Sequence, residues 1–125
     1  MTTFKGSCHC GAVHFEVHNQ EKLEGLMQCN CSLCRRRNAI MATAPAIDIK
    51  VTRGEDKLSL YRWNTEIAKH YFCSICGIYT HHQRRRQPEQ CGFNVACIDE
   101  VDMEKLGPIT KVNGKAFSLE RPRGA

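Results

Sequence analysis

Seven of the nine cysteines lie in three short clusters whose spacing is typical of metal ligands. Thiolates a few positions apart can reach one ion from a single turn. Tetrahedral zinc takes four protein ligands in a closed structural site and three in an open one. Seven ligands divide into four and three, so the sequence predicts two zinc ions per chain and chemistry at the open one. The clusters are Cys8-His-Cys10, Cys29-Asn-Cys31-Ser-Leu-Cys34 and Cys73-Ser-Ile-Cys76.

The first and third clusters together supply the four ligands of a closed site. Each is followed directly by a glycine, Gly11 or Gly77, which lets the backbone turn close beneath the sulfur atoms. A closed zinc site contributes much of the folding free energy of a small domain. The predicted ligands of this structural zinc are Cys8, Cys10, Cys73 and Cys76.

The middle cluster predicts the second zinc, bound by Cys29, Cys31 and Cys34. Three thiolates and Zn²⁺ carry a net charge of −1 and leave one coordination position for a ligand, where a carbonyl can be polarised or the pKa of a thiol or water lowered. Spacing alone leaves other arrangements open. One of these cysteines could join the four-ligand site, or Cys91, Cys97 or a histidine could close the second site.

Other polar residues near the clusters are candidates for substrate contacts. Arg35, Arg36 and Arg37 follow the middle cluster and offer planar donors that suit carboxylates. The run Arg84–Arg86 predicts one of two things. It is either a loop that covers a ligand or a charged face exposed to solvent. His9 is expected to act as a spacer between two ligands. Any of His70, His81 and His82 could act as an acid or base, because imidazole titrates near neutrality.

The composition limits the class of protein. The net charge of +5 falls to about +2 when seven thiolates bind two Zn²⁺. The basic runs lack interleaved aromatic residues, so nucleic-acid binding is not favoured. No run of apolar residues is long enough to span a membrane, and the N-terminus does not resemble a signal peptide. We therefore expect a cytoplasmic protein, where clustered cysteines bind metal rather than form disulfides.

The elements that must position these residues are mainly strands within a single domain of residues 1–125. Val13, Phe15 and Val17 alternate with polar residues, which predicts a half-buried strand. A second alternating run, Ile47–Val51, is expected to pair with a strand opened by Leu58 and Leu60, across a turn at 54–56. Near the end of the chain Phe93, Val95 and Cys97 alternate again, and Cys97 is expected in the core. Helical turns are predicted only at about 32–37 and 102–106.

Three segments give the chain a resemblance to a known family. They are Gly6-Ser7-Cys8-His9-Cys10-Gly11-Ala12-Val13, Cys29-Asn30-Cys31-Ser32-Leu33-Cys34-Arg35-Arg36 and His70-Tyr71-Phe72-Cys73-Ser74-Ile75-Cys76-Gly77-Ile78. In this order they resemble the glutathione-dependent formaldehyde-activating enzyme (GFA) family, which also includes centromere-protein-V-like proteins. The resemblance implies a β-tent-like arrangement of small antiparallel sheets around zinc knuckles. The resemblance also implies the same two sets of zinc ligands that the spacing of the cysteines predicts.

The resemblance also implies an activity. The family's named enzyme adds glutathione to formaldehyde reversibly, so we expect a carbon–sulfur lyase that binds a small-molecule thiol such as glutathione and an aldehyde. Longer members have additional segments that help to form a glutathione site, and we expect this compact chain to be without them. The alternative is a non-catalytic zinc module that binds a protein or nucleic-acid partner.

Overall fold

A computed structural model describes residues 2–62, 69–84 and 88–114, which form the mainly β fold that the sequence predicts. Of the residues discussed above, Arg85 and Arg86 lie outside the described ranges. In the described residues one α-helix and ten strands are found. They are β1 (Thr2–Ser7), β2 (His14–Gln20), β3 (Met27–Cys29), α1 (Ser32–Arg37), β4 (Met41–Pro45), β5 (Ile49–Arg53), β6 (Leu58–Tyr61), β7 (Lys69–Cys73), β8 (Tyr79–Gln83), β9 (Gln90–Asn94) and β10 (Thr110–Val112).

The strands form two sheets. The first has three antiparallel strands in the order β1-β2-β5. The second has seven strands in the order β10-β3-β4-β9-β8-β7-β6, and its pairs are antiparallel except β10 with β3. The last described strand therefore returns to lie beside β3, which ends at Cys29.

The core lies between the two sheets. Val13, Phe15 and Val17 are all at most 1% exposed, as the alternation around β2 predicts. Phe15 and Val17 pack with Ala42 on β4 and Phe93 on β9. Burying side chains of this size contributes about 1.5–3 kcal/mol each. Contact between the sheets therefore sets the positions of the turns that carry the cysteines.

The predicted hairpin between β5 and β6 is wrong. β5 pairs with β2 in the first sheet and β6 pairs with β7 in the second, so the turn at Gly54 carries the chain from one sheet to the other. Gly54 has φ 75°, and a Cβ there would meet the carbonyl oxygen of Ala12. This close approach brings the crossing against the turn that follows the first cysteine cluster.

Two further details differ from the sequence prediction. Ile47 does not continue the alternation of β5, because it lies in a 3₁₀ turn (Ala46–Asp48) and is 83% exposed. Val95 and Cys97 are buried as expected, but they belong to a 3₁₀ turn rather than a strand. That turn begins where the Asn94 side chain accepts a hydrogen bond from the backbone N–H of Ala96.

Both predicted helical turns are present. Helix α1 spans Ser32–Arg37, and a 3₁₀ turn covers Met103–Lys105. The Cys31 side chain accepts a hydrogen bond from the N–H of Cys34, so a cysteine takes the place that serine or aspartate usually fills at a helix start. Asn38 ends α1 in a left-handed conformation, with φ 52°. The helix is therefore built around two cysteines of the middle cluster.

Candidate metal centre and its surroundings

The first and third cysteine clusters meet in space. Cys8 and Cys10 lie in the turn after β1, whereas Cys73 ends β7 and Cys76 lies in the next turn. The Sγ atoms of Cys8 and Cys10 are 3.6 Å apart, and those of Cys10 and Cys73 are 3.7 Å apart. A tetrahedral ion with metal–sulfur bonds of about 2.3 Å requires sulfur separations of about 3.8 Å. These four cysteines, called the four-cysteine site below, could hold a metal ion.

Backbone N–H groups donate to the sulfur atoms of the four-cysteine site. Val13 N–H donates to Cys8 Sγ at 3.3 Å, and Ile75 N–H donates to Cys73 Sγ at 3.4 Å. Such donors stabilise the thiolate form that a metal requires. The site is packed against apolar residues that include Val13, Val51 and Leu58. Cys8 and Cys73 therefore belong to the interior between the two sheets, whereas Cys10 is exposed.

The middle cluster forms a second group. The Sγ atoms of Cys29, Cys31 and Cys34 lie within 4.8 Å of one another, and this three-cysteine site could also hold a metal ion. The backbone N–H groups of Cys31 and Cys34 donate to Cys29 Sγ and Cys31 Sγ, each at 3.4 Å. Within the described residues, neither group includes a histidine, Cys91 or Cys97 as a further ligand. His9 is exposed.

The protonation of the three-cysteine site shows why a cation fits it. Hydrogen bonds with the Cys31 and Cys34 thiols lower the pKa of Cys29 to about 2. The interactions with Cys29 and Cys31, followed by burial, raise the pKa of Cys34 far above its usual range. Three thiolates this close repel one another, so all three ionise together only with a cation among them.

Strand β10 brings a residue against the three-cysteine site that the sequence analysis missed. Asn30 N–H donates to Val112 O at 3.0 Å, and the chain then reaches Gly114. The backbone N–H of Gly114 donates to Cys29 Sγ and helps to lower the pKa of this thiol. A Cβ at Gly114 would overlap Cys29 Sγ, so any larger residue requires this sulfur or the chain to move. No local pattern marks this residue, since its role arises from the parallel pairing of β10 with β3.

The three arginines after the middle cluster separate in the structure. Arg35 and Arg36 are exposed, and Arg36 Nη1 donates to Ser32 O at 2.9 Å. Arg37 is half-buried, and its guanidinium carbon lies 3.9 Å from the centre of the Tyr79 ring. Of the second arginine run, only Arg84 is described. It is half-buried and its N–H donates to Gln90 O at 3.4 Å.

The three candidate histidines lie in two different environments. The His70 and His82 rings stack with centroids 5.3 Å apart, and His82 Nδ1 lies 2.7 Å from the Tyr79 hydroxyl. His81 instead stacks on Tyr71 and lies 6.1 Å from the Phe15 ring in the core. His70 and His82 therefore share the surroundings of Tyr79 and Arg37, and His81 packs with core aromatics.

Burial sets the charge of the groups around Tyr79. Burial lowers the pKa of His82 to about 3 and, with the charge of Arg37, lowers that of His70 to about 4. Burial and the charge of Cys34 raise the pKa of Tyr79 well above its usual value. At neutral pH both imidazoles and the phenol are therefore uncharged, whereas Arg37 keeps its positive charge.

The two cysteines outside the clusters are buried thiols. Cys97 Sγ contacts Tyr79 O at 3.6 Å, and Cys91 lies on β9 with its Sγ 3.7 Å from Gly92 O. Burial raises the pKa of each thiol to about 12, so both stay protonated. They pack as small apolar residues.

Comparison with known proteins identifies the family. Residues 3–115 match the family described as glutathione-dependent formaldehyde-activating enzyme, and the chain belongs to this GFA family. A Halomonas elongata protein, provisionally named as a glutathione-dependent formaldehyde-activating enzyme, is 35% identical over 81 residues. That match covers 58% of this chain and 50% of the relative, so the chain spans about half the length of this curated relative.

A solved structure shares the fold. The crystal structure of a Rhodobacter sphaeroides protein superposes with a TM-score of 0.81 at 50% sequence identity, over 86% of this chain and 99% of the other. The predicted family resemblance is thus confirmed. In the described residues no helix is long and apolar enough to cross a membrane.

Proposed function

We propose that this protein is a zinc-dependent carbon–sulfur lyase that makes and breaks a thiol–aldehyde adduct, as S-hydroxymethylglutathione synthase does with glutathione and formaldehyde. Membership of the GFA family supports formaldehyde activation with glutathione. The observation that carries the proposal is the three-cysteine site. It gathers three thiol ligands near Arg37 and Tyr79, and a purely structural site needs neither of these side chains.

Two zinc ions are proposed per chain. Cys8, Cys10, Cys73 and Cys76 would hold a structural ion, because their sulfur separations fit a tetrahedron. Cys29, Cys31 and Cys34 would hold the second ion and leave one position open. When bound there, zinc supplies Lewis-acid activation of a thiol or carbonyl at neutral pH.

The remaining residues would bind and orient the substrates. We propose the triplet Arg35, Arg36 and Arg37 as substrate-binding residues, since glutathione carries two carboxylates that a guanidinium can bind with paired hydrogen bonds. Arg35 and Arg36 are exposed on α1, from which they can reach an incoming tripeptide. Arg37 faces inward over Tyr79.

The cellular setting follows from the thiols. All nine cysteines are free, which suits a reducing compartment, and we propose that this single domain of residues 1–125 works in the cytoplasm.

The activity can be tested directly. Zinc-loaded protein is incubated with formaldehyde and glutathione, and adduct formation is followed by NMR against the spontaneous rate. We expect acceleration that Cys34→Ser abolishes, with zinc falling from two per chain towards one. If several thiols give only the spontaneous rate, the proposed lyase activity is wrong. Cys97→Ala is the control, because this buried thiol lies outside both metal sites.

A further inference from the structure

Arg37 carries a hydrogen-bond donor that no described residue satisfies. Its guanidinium carbon lies 3.9 Å from the centre of the Tyr79 ring, and the group also interacts with the Tyr79 hydroxyl. The Nη1 atom is buried and has no hydrogen-bond partner in the described part of the chain. Leaving a buried charged donor unsatisfied is costly, which indicates that a ligand atom or water belongs there.

His70 carries a second unsatisfied atom in the same surroundings. Its side chain is buried, and Nδ1 has no partner among the residues that the structure describes. The His70 ring lies 6.2 Å from the Tyr79 ring, and the charge of Arg37 is close enough to lower the pKa of His70. Two independent buried polar atoms therefore adjoin the same tyrosine.

Neighbouring side chains hold both groups in place. The Tyr79 hydroxyl bonds His82 Nδ1 at 2.7 Å, and the His82 ring stacks on His70. Gly92 leaves room for His82, since a Cβ at Gly92 would lie 2.4 Å from this ring. On α1, Arg37 follows Cys34 by three residues and so shares its helix face. The unpartnered Nη1 atom of Arg37 therefore lies on the side of α1 that carries Cys34, and the charge of Cys34 also acts on Tyr79.

The charge of this cluster indicates the class of ligand. The ion pairs found among the described residues do not include Arg37, and the neighbouring imidazoles and phenol are neutral. The cluster thus presents one positive charge and, in the His70 tautomer with its proton on Nδ1, a neutral donor within a buried setting. Such a group suits a single oxygen atom that carries, or is gaining, negative charge.

We propose that Arg37 and His70 bind the oxygen atom of the aldehyde, with Tyr79 and His82 positioning them. This assignment rests on the proposed function. As the thiolate sulfur forms a bond to the carbonyl carbon, the second electron pair of the C=O bond moves to oxygen. That oxygen takes up the proton that the thiol has released, so the addition needs no other reactant. Arg37 and His70 stabilise the negative charge before the proton arrives.

Formate is the probe, because it is a planar one-carbon anion that resembles formaldehyde. Zinc-loaded protein is titrated with ¹³C-formate, and the dissociation constant is obtained from NMR line broadening. We expect Arg37→Met to weaken formate binding about 10- to 100-fold and His70→Phe to weaken it several-fold, with both zinc ions retained. Arg53→Met is the matched control, since this arginine is exposed on β5 in the other sheet, and binding should change less than about twofold.

The possible results distinguish a failure of this proposal from a failure of the proposed lyase activity. We call the proposed contact of Arg37 and His70 with the aldehyde oxygen the oxygen site. If Arg37→Met and His70→Phe both bind formate as the parent protein does, the oxygen site is wrong, even if the parent accelerates adduct formation. If Arg37→Met does not fold, His70→Phe alone decides the question in the same way. If formate binding depends on these residues but no thiol and aldehyde are joined faster than spontaneously, the oxygen site stands and the lyase proposal is wrong.

Discussion

The four-cysteine and three-cysteine sites use the same ligand but join the chain in different ways. Cys10 and Cys73 are 63 residues apart in sequence and 3.7 Å apart at sulfur, so an ion there would close a long loop and tie the first sheet to the second. Cys29, Cys31 and Cys34 lie within six residues and close only one turn. The first site can therefore stabilise the fold, whereas the second can lose its ion without separating any elements.

The residues that surround the two sites also differ. Apolar residues of the core pack against the four-cysteine site. The three-cysteine site shares α1 with Arg37, its Cys34 acts electrostatically on Tyr79, and Cys29 accepts a hydrogen bond from Gly114. Polar groups that are buried and only partly bonded cost stability, and a protein keeps them where they contact a ligand. These differences support the proposal that the four-cysteine site stabilises the fold and that the three-cysteine site carries the chemistry.

The largest expected effect comes from removing one ligand of each site. We expect Cys8→Ser to lower the free energy of unfolding by about 4 kcal/mol or more, because a structural zinc supplies much of the folding energy. Cys29→Ser should cost about 1 kcal/mol and lose only the second ion. Thermal unfolding and elemental analysis of both variants measure this. Equal destabilisation by the two would support the non-catalytic zinc module instead.

Chelator release should distinguish the sites in the unmodified protein. With EDTA and a coloured zinc indicator, we expect zinc to leave in two phases separated by at least about tenfold in rate, since an open site exchanges ligands more readily than a closed one. Circular dichroism should change only in the slow phase. A single phase that coincides with loss of structure would show that both ions are structural.

Gly114 provides a steric test of the three-cysteine site alone. Gly114→Ala would place a Cβ against Cys29 Sγ, so we expect zinc affinity at this site to fall about 10- to 100-fold while the four-cysteine site is unchanged. Competition with a chelator measures the affinity. Gly107→Ala is the control, because a Cβ there meets nothing within 4 Å. Unchanged affinity in Gly114→Ala would mean that the chain end moves aside freely.

The smallest effect is expected at the exposed arginines. Arg35→Met should raise the KM for glutathione about 3- to 10-fold with little change in kcat, because a solvated contact to a carboxylate contributes roughly 1 kcal/mol. Formate binding should not change. Initial rates at varied glutathione test this, and an unaltered KM in both Arg35→Met and Arg36→Met would remove these residues from the substrate site.

Much of the fold could be predicted from the sequence, but the pairing of the strands could not. Alternation around Phe15 predicted a buried strand correctly, because burial on one face of a strand follows a period of two. The same alternation wrongly predicted that Ile47 belongs to a strand. The sequence also placed β5 beside β6, whereas the turn at Gly54 carries the chain from one sheet to the other. Strand pairing depends on contacts distant in sequence, which local periodicity does not encode.

Cysteine spacing by itself identified the seven candidate ligands, because ligands a few residues apart can reach one ion, but it left open how they divide between two sites and whether Cys91, Cys97 or a histidine joins them. The structure groups them as four and three. Only the tertiary structure decided what surrounds them. It turned Arg37 inward and left Arg35 exposed, separated His81 from His70 and His82, and brought Gly114 against Cys29. Neighbouring residues of the same type acquire different roles because the packing of α1, β8 and β10 decides which of them is buried.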